Sequence, residues 1–232
     1  MSISQTDFLP LLEKLITYRS TATRPEQISA CAAFIGNWLK ERSLPHLALE
    51  HQGVPSILLG ADSLEGLNGP QPPVLLLAHF DVVEGADAQF SPRLEGDFLH
   101  GRGSIDDKYA VALSLLLFER HWKRAAMSAS GTVAPATDIQ TTQAGPPFMV
   151  LLTGDEETGG SNGAGHASSL LRPKFCLALD GGGPGEIITR QQGVLRLALT
   201  EEGKAAHGPR PWPGDNAALK LARPSLAVAA FS

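Results

Sequence analysis

The 232-residue sequence predicts an α/β layered domain, because short apolar runs alternate along it with segments of helical periodicity. The runs are five or six residues long and are bounded by Gly, Pro and polar residues, which is typical of strands buried in a mostly parallel sheet. A hydrophobic fraction of 43% and a charged fraction of 19% are those of an ordinary globular protein.

Two helices are predicted at the start of the chain. Apolar residues recur at helical spacing over residues 6–18, which indicates the first. The second is predicted to begin at "TRPE", with Thr23 as N-cap, Pro25 in the first turn and Glu26 completing a capping box.

The apolar runs predict four buried strands, at residues 56–61, 74–78, 148–153 and 175–180. Residues 109–122 are long and apolar enough to form a helix that covers the sheet. Residues 125–147 are small, polar and Pro-containing, and we expect a mobile surface insertion there. An edge strand is predicted over residues 194–203, followed by a helix that begins near Asp215 or Asn216.

Charge and cysteine content exclude several classes of protein. A net charge of −5 argues against a nucleic-acid surface. Cys31 and Cys176 lie far apart in apolar runs, so we expect buried free thiols and neither a disulfide nor a thiolate zinc site. The N-terminus lacks the basic start and long apolar core of a signal peptide, and no apolar run is long enough to span a membrane. We therefore expect a cytoplasmic protein.

Acidic residues cluster where predicted strands end and where a helix begins. They are Asp81, Asp155, Glu156, Glu157 and Asp180 after strands, and Asp106 and Asp107 before the helix. The ligand crevice of an open α/β sheet lies outside the carboxyl ends of its strands, so these carboxylates are expected to converge. They repel one another unless a cation lies among them, and with one imidazole, His79, they suit zinc, with cobalt or manganese as substitutes. In "HFD", Asp81 is placed to hold the second ring nitrogen of His79.

Each motif also has a simpler interpretation when it is taken alone. "HFD" is more often a loop with a local hydrogen bond than a metal site, and "IDDK" places acids at the positive end of a helix dipole. "GDEETGGSNGAGH" reads as a solvated Gly-rich loop, and "DGGGPG" as a turn. If the chain had no metal site, all four of these simpler interpretations would have to hold independently in one chain. A nucleotide-binding module is a poor alternative, because no phosphate-binding Gly-x-x-x-x-Gly-Lys-Ser/Thr loop is present.

The order "HFDVV", "GRGSIDDK", "TGDEETGG" and "LDGGGPG", followed by "GKAAHGPRPWPGDNAA", resembles the co-catalytic zinc peptidase and deacylase family. That family includes aminoacylases, acetylornithine deacetylase, succinyl-diaminopimelate desuccinylase, glutamate carboxypeptidases and carnosinase-like dipeptidases. The resemblance runs from about residue 5 to residue 222. It implies a three-layer catalytic domain with a mostly parallel sheet over residues 1–188, and the start of a small α+β lid or dimerisation domain over residues 189–232.

The resemblance also implies hydrolysis of an amide or peptide bond in a dipeptide or an N-acyl amino acid. Two zinc ions would be held by His79, Asp106, Glu157 and Asp180. Asp106 would bridge both ions and be joined to Asp107 by a cis peptide, while Asp81 orients His79. Glu156 would be the general base, taking a proton from the attacking water and returning it to the leaving amine.

A further histidine, His207, follows the predicted edge strand, and the resemblance implies that it stabilises the oxyanion in the active site of a second subunit. No histidine follows His207, so the second zinc site would lack its last protein ligand. Family members continue well beyond this length, and Pro224 is expected to interrupt the last helix, so we expect a truncated or frameshifted product.

Two interpretations of the function follow from this departure. One is a working dizinc hydrolase, and the other is an impaired remnant that binds at most one metal ion. The sequence does not fix the substrate. Arg190 and Arg210 are either ligands for a substrate carboxylate or solvated surface charges.

Overall fold

The structure is a computed structural model that describes residues 3–129, 146–181, 185–190, 193, 197–210 and 212–229. The chain divides into two compact units, residues 1–181 and 182–232. The first contains α1 (Gln5–Ile16), α2 (Pro25–Glu41), β1 (His46–His51), β2 (Val54–Leu59), β3 (Val74–His79), β4 (Arg93–Glu95), β5 (Phe98–His100), α3 (Lys108–Ala129), β6 (Phe148–Thr153), α4 (Ala164–Ser168) and β7 (Phe175–Ala178). The second contains α5 (Ala217–Ala229).

A five-stranded sheet in the order β1-β2-β6-β3-β7 forms the centre of the first unit. Strands β6, β3 and β7 are mutually parallel, while β2 runs antiparallel to both β6 and β1, so only β2 points against the rest. This confirms the predicted α/β class with a mostly parallel central sheet. Because His79 pairs with Thr153 in register, the loops after β3 and β6 leave the sheet side by side.

The central strand β6 is covered on both faces of the sheet, which explains why it reads as a continuous apolar run. In β6, Val150 and Leu152 pack into the core formed with α1, α2 and α3. Met149 and Leu151 pack into a second core, which includes Ala167 of α4. Neither face of this strand meets water, so no polar alternation marks it.

Several local predictions were wrong. Thr23 does not cap α2, because the helix begins at Pro25 after Arg24 and has no side-chain cap. The Thr23 hydroxyl instead donates to Glu84 Oε1 at 2.6 Å. Helix α3 continues to Ala129, five residues into the segment expected to be a mobile insertion. Residues 130–145 of that segment lie outside the described residues, and Pro146, near its end, is buried.

Other corrections concern the later part of the chain. Cys176 is exposed on the edge strand β7, whereas Cys31 is buried as predicted. Residues 197–203 form no strand, although Lys204 makes an isolated bridge to Asp215. Pro224 lies inside α5 and does not end it. Because α5 is largely exposed, water can satisfy the carbonyl whose hydrogen bond a proline forfeits.

Candidate metal centre

Three of the predicted ligands come together where the parallel strands end. His79 is the last residue of β3, Asp106 precedes α3, and Asp180 follows β7. One ligand atom from each lies within 4.8 Å of the others. His79 Nε2 is 3.1 Å from Asp106 Oδ1 and 3.9 Å from Asp180 Oδ2. Within the part of the chain that the structure describes, this is the one group of at least three such residues at this spacing.

The orientation of the His79 ring is set by Asp81. His79 Nδ1 lies 3.0 Å from the Asp81 carbonyl oxygen and 3.3 Å from its Oδ1. Both side chains are almost fully buried. With Nδ1 engaged in this way, Nε2 faces Asp106 and Asp180, which is the arrangement that a metal-binding imidazole needs.

Asp81 also fixes the loop after β6. Its Oδ1 accepts a hydrogen bond from the Glu156 N–H at 3.1 Å, and its Oδ2 accepts one from the Glu157 N–H at 3.0 Å. One buried carboxylate therefore orders the histidine and the loop that carries the two glutamates.

The two glutamates differ in what their side chains meet. Glu156 Oε2 lies 3.9 Å from His79 Nε2, at the edge of the group of three. Glu157 Oε1 accepts a hydrogen bond from the Val83 N–H at 3.2 Å, and Glu157 is not part of that group. The structure thus brings His79, Asp106 and Asp180 together with Glu156 beside them, and it does not bring the predicted ligand Glu157 into the same cluster.

The peptide bond between Asp106 and Asp107 is cis. Asp107 is fully buried, and its Oδ2 accepts a hydrogen bond from the His79 N–H at 3.2 Å. Its Oδ1 has no hydrogen-bond partner. The α3 amides of Ala110 and Val111 donate to the Asp107 carbonyl oxygen and not to its carboxylate. The side chain of Asp107 therefore binds the backbone of His79 and does not cap α3.

Asp155 stabilises the turn that follows the glutamates. Its Oδ2 accepts hydrogen bonds from the N–H groups of Asn162 and Gly163, both at 2.9 Å. A Cβ at position 163 would lie 2.1 Å from Asp155 Oδ1, so only glycine fits there. This part of "GDEETGGSNGAG" is a closed, hydrogen-bonded turn and not a solvated loop.

Burial, and after it the charges of neighbouring groups, shifts the pKa values at this site. Burial raises the pKa of Asp107 to about 7. Burial is also the main reason that the pKa values of Glu156 and Glu157 are raised, and neighbouring carboxylates add to it. Burial opposes protonation of His79, but its hydrogen bond to Asp81 and the charges of Asp81 and Asp107 outweigh this and raise its pKa to about 9. The site is poor in positive charge, and a cation would relieve it.

Metal-free protein is expected to lose stability as the pH rises from 6.5 to 8. The pKa of His79 is raised from 6.5 to about 9 on folding, so the folded state holds a proton that the unfolded state has released. The stabilisation from His79 is complete below pH 6.5 and is lost as the pH rises toward 9, and up to about 2 kcal/mol of it is lost between pH 6.5 and pH 8. Urea unfolding in the presence of a chelator measures it.

The predicted loss of stability is limited to the range below pH 8, because burial lowers the pKa of Lys108 to about 8. Above that pH, loss of the Lys108 proton in the folded state raises the free energy of unfolding with pH and opposes the effect of His79. A His79→Gln variant is the control and should show a flatter profile. If the free energy of unfolding depends equally on pH in the unsubstituted protein and in His79→Gln, the pH dependence does not come from His79.

Two further residues, which no sequence motif indicates, hold the site in place. Lys108 is fully buried, and its Nζ donates to the carbonyl oxygens of Leu15 at 3.0 Å and Tyr18 at 2.6 Å. The Ser20 hydroxyl donates to the Phe80 carbonyl oxygen at 2.5 Å. Both tie loops at the metal centre to the last turn of α1 or to the residues that follow it, and their partners are main-chain atoms that no side-chain pattern reveals.

His207 lies in the second unit, where it is exposed and its carbonyl accepts a hydrogen bond from the Arg210 N–H at 2.7 Å. The predicted role of His207 at an oxyanion stays a prediction. Arg190 and Arg210 are exposed in the same unit.

Across the described residues, no helix combines the length and apolar character that a membrane span requires.

The chain is similar to a peptidase family model and to proteins named as a carboxypeptidase and a desuccinylase. Residues 75–187 match the model of Peptidase family M20/M25/M40. A succinyl-diaminopimelate desuccinylase from Corynebacterium glutamicum is 31% identical over 162 residues, which is 68% of this chain and 39% of that protein. A probable carboxypeptidase from Aspergillus terreus is 29% identical over 155 residues, which is 65% of this chain and 32% of that protein.

Among solved structures, a tripeptidase from Staphylococcus aureus has a TM-score of 0.57 at 16% sequence identity. The match covers 97% of this chain and 56% of the tripeptidase, and it supports the fold. The chain spans about a third to a half of the length of the curated relatives it matches.

Proposed function

We propose that the chain, whose residues 75–187 match the model of Peptidase family M20/M25/M40, catalyses metal-dependent hydrolysis of an amide or peptide bond in a small substrate. The observation that carries this proposal is the cluster of His79, Asp106 and Asp180, with the carboxylate of Glu156 beside it. One imidazole and several carboxylates form a donor set for a divalent metal ion, and Glu156 Oε2 lies 3.9 Å from His79 Nε2, the ring nitrogen that would bind the ion.

The residues fit a zinc ion, with cobalt or manganese as substitutes. His79 Nε2, Asp106 and Asp180 would hold it, and the buried Asp107 Oδ1, which has no hydrogen-bond partner, supports a shortage of donors and positive charge at this site. Bound zinc would polarise a carbonyl oxygen and lower the pKa of water to about 7. Glu157 would serve a second ion that Asp106 shares, as the family resemblance implies.

Glu156 supplies the proton transfer in this proposal. Its Oε2 would accept a proton from the attacking water and donate it to the nitrogen of the leaving amine. Burial and neighbouring carboxylates raise its pKa, which brings a carboxylate closer to the range in which it both accepts and donates a proton. The Glu156 N–H donates a hydrogen bond to Asp81 Oδ1, which also lies 3.3 Å from His79 Nδ1, so Asp81 holds the Glu156 backbone near His79.

The proposed substrates are dipeptides or N-acyl amino acids. Two of the relatives are named a carboxypeptidase and a desuccinylase, so the amide bond is the feature common to both names. Arg190 and Arg210 are candidates to bind a substrate carboxylate, since a guanidinium forms bidentate hydrogen bonds with it.

A one-metal form is the second candidate, and a specific observation favours it. Within the described parts of the chain, only the His79 group forms a cluster of three, while the Glu157 carboxylate is engaged by the Val83 N–H. A chain that binds one ion without turnover would fit this arrangement.

We also propose a cytoplasmic homodimer in which His207 acts on the active site of the second subunit. Light scattering at micromolar protein, with and without zinc, tests the assembly. A monomer mass under both conditions would remove this role for His207.

Zinc per chain, measured by plasma mass spectrometry after chelation, reloading and desalting, tests the metal site. We expect one tightly held ion for the one-metal form and two for the dizinc form. The His79→Ala variant should hold none at the first site, because its Nε2 is the only nitrogen in the cluster. His100→Ala, which removes a half-exposed imidazole on β5, is the matched control. No zinc in the unsubstituted protein would contradict the proposal.

A further inference from the structure

Asp180 belongs to the metal cluster but follows a weakly held strand. Among the described residues, β7 is the last strand of the sheet and pairs only with β3. All four of its residues are exposed. A short, exposed edge strand frays readily, so β7 alone is a poor support for a ligand. Something else must hold Asp180 near His79.

Tyr109 makes the contact that does so. Its hydroxyl donates a hydrogen bond to the carbonyl oxygen of Leu179, the residue directly before Asp180, at 2.5 Å. The Leu179 N–H donates to the Leu77 carbonyl oxygen at 3.0 Å. Leu179 is thus held through both of its backbone groups, by β3 on one side and by the first turn of α3 on the other.

The start of α3 is a rigid reference for this contact. Lys108, the neighbour of Tyr109, is anchored by hydrogen bonds to the carbonyl oxygens of Leu15 and Tyr18. Asp106 lies three residues before Tyr109 and belongs to the same cluster as Asp180. A side chain from this one segment therefore sets the distance between two carboxylates that come from different parts of the sequence.

We infer that Tyr109 is a positioning residue for the metal centre: its hydrogen bond to the Leu179 carbonyl holds Asp180 within reach of His79 and Asp106. The inference rests on the proposed metal-dependent function. Tyr109 is not one of the three clustered residues, and it acts through the backbone of Leu179. Outer partners that orient metal ligands typically contribute about 10- to 100-fold in metal affinity.

The test is Tyr109→Phe, which removes the hydroxyl and keeps the ring. Cobalt(II) affinity is measured by competition with a chromophoric chelator, and the visible spectrum of bound cobalt reports the ligand geometry. We expect affinity to fall about 10-fold and the spectrum to change, with little change in melting temperature. Tyr18→Phe, at the only other tyrosine, is the matched control, since its ring packs on Phe34 and not on Leu179.

Hydrogen exchange of metal-free protein gives a second readout. Peptides that cover residues 175–180 should exchange faster in Tyr109→Phe than in the unsubstituted protein. Normal cobalt affinity and spectrum in Tyr109→Phe, with cobalt bound by the unsubstituted protein, would overturn the inference alone. Faster exchange with unchanged cobalt binding would make Tyr109 a structural brace only and would also overturn it. Failure of the unsubstituted protein to bind cobalt would overturn the proposed function, and the inference with it.

Discussion

Replacing Glu156 with glutamine is expected to lower kcat for amide hydrolysis by about 10²- to 10⁴-fold, the usual contribution of a general base. Glutamine keeps the size and the backbone of Glu156, including the N–H that donates to Asp81 Oδ1. It cannot accept a proton from water. Because Glu156 lies beside the group of three and is not one of its members, metal affinity should change little.

The measurement is steady-state hydrolysis of a panel of dipeptides and N-acyl amino acids by zinc-loaded protein, with zinc per chain determined on the same samples. Glu50→Gln removes an exposed carboxylate on β1 and is the matched control. Full activity in Glu156→Gln would assign proton transfer to another group. Activity that falls only in proportion to zinc content would make Glu156 a ligand.

Asp81→Ala is expected to lower the free energy of unfolding by about 3–5 kcal/mol, the cost of removing one partner of a buried ion pair. Asp81 and His79 are both buried, and the carboxylate also accepts the N–H groups of Glu156 and Glu157. Its removal leaves the two backbone donors without their partner and leaves His79 Nδ1 with only the carbonyl oxygen of residue 81. Metal affinity should also fall, because His79 Nδ1 loses the carboxylate that lies 3.3 Å from it and keeps only a backbone carbonyl.

Urea unfolding of metal-free protein at pH 6.5 measures the loss, since His79 is protonated in the fold at that pH. Asp87→Ala provides the comparison: Asp87 pairs with Arg19 at 2.7 Å, but its side chain is 88% exposed. That pair should contribute less than about 1 kcal/mol. Similar losses in both variants would mean that the buried contacts of Asp81 do not stabilise the fold.

The sequence was sufficient for the central elements because their signal is local. Residues 148–153 form β6 as predicted, and the helix predicted over 109–122 lies within α3. The strand β1 was missed because its residues are mostly polar or only partly buried. The wrong N-cap at Thr23 has a different cause, since its hydroxyl found a partner 61 residues away, beyond any local pattern.

What the sequence determined by itself is the chemistry available at the site: one histidine and several acids at strand ends, whose mutual repulsion calls for a cation. Only the tertiary structure decided which of them meet. It grouped His79, Asp106 and Asp180, turned Glu157 toward Val83, and showed that Lys108 and Tyr109 bind backbone carbonyls. The physical reason is that strand order and loop paths set side-chain distances, and backbone acceptors are the same in every residue.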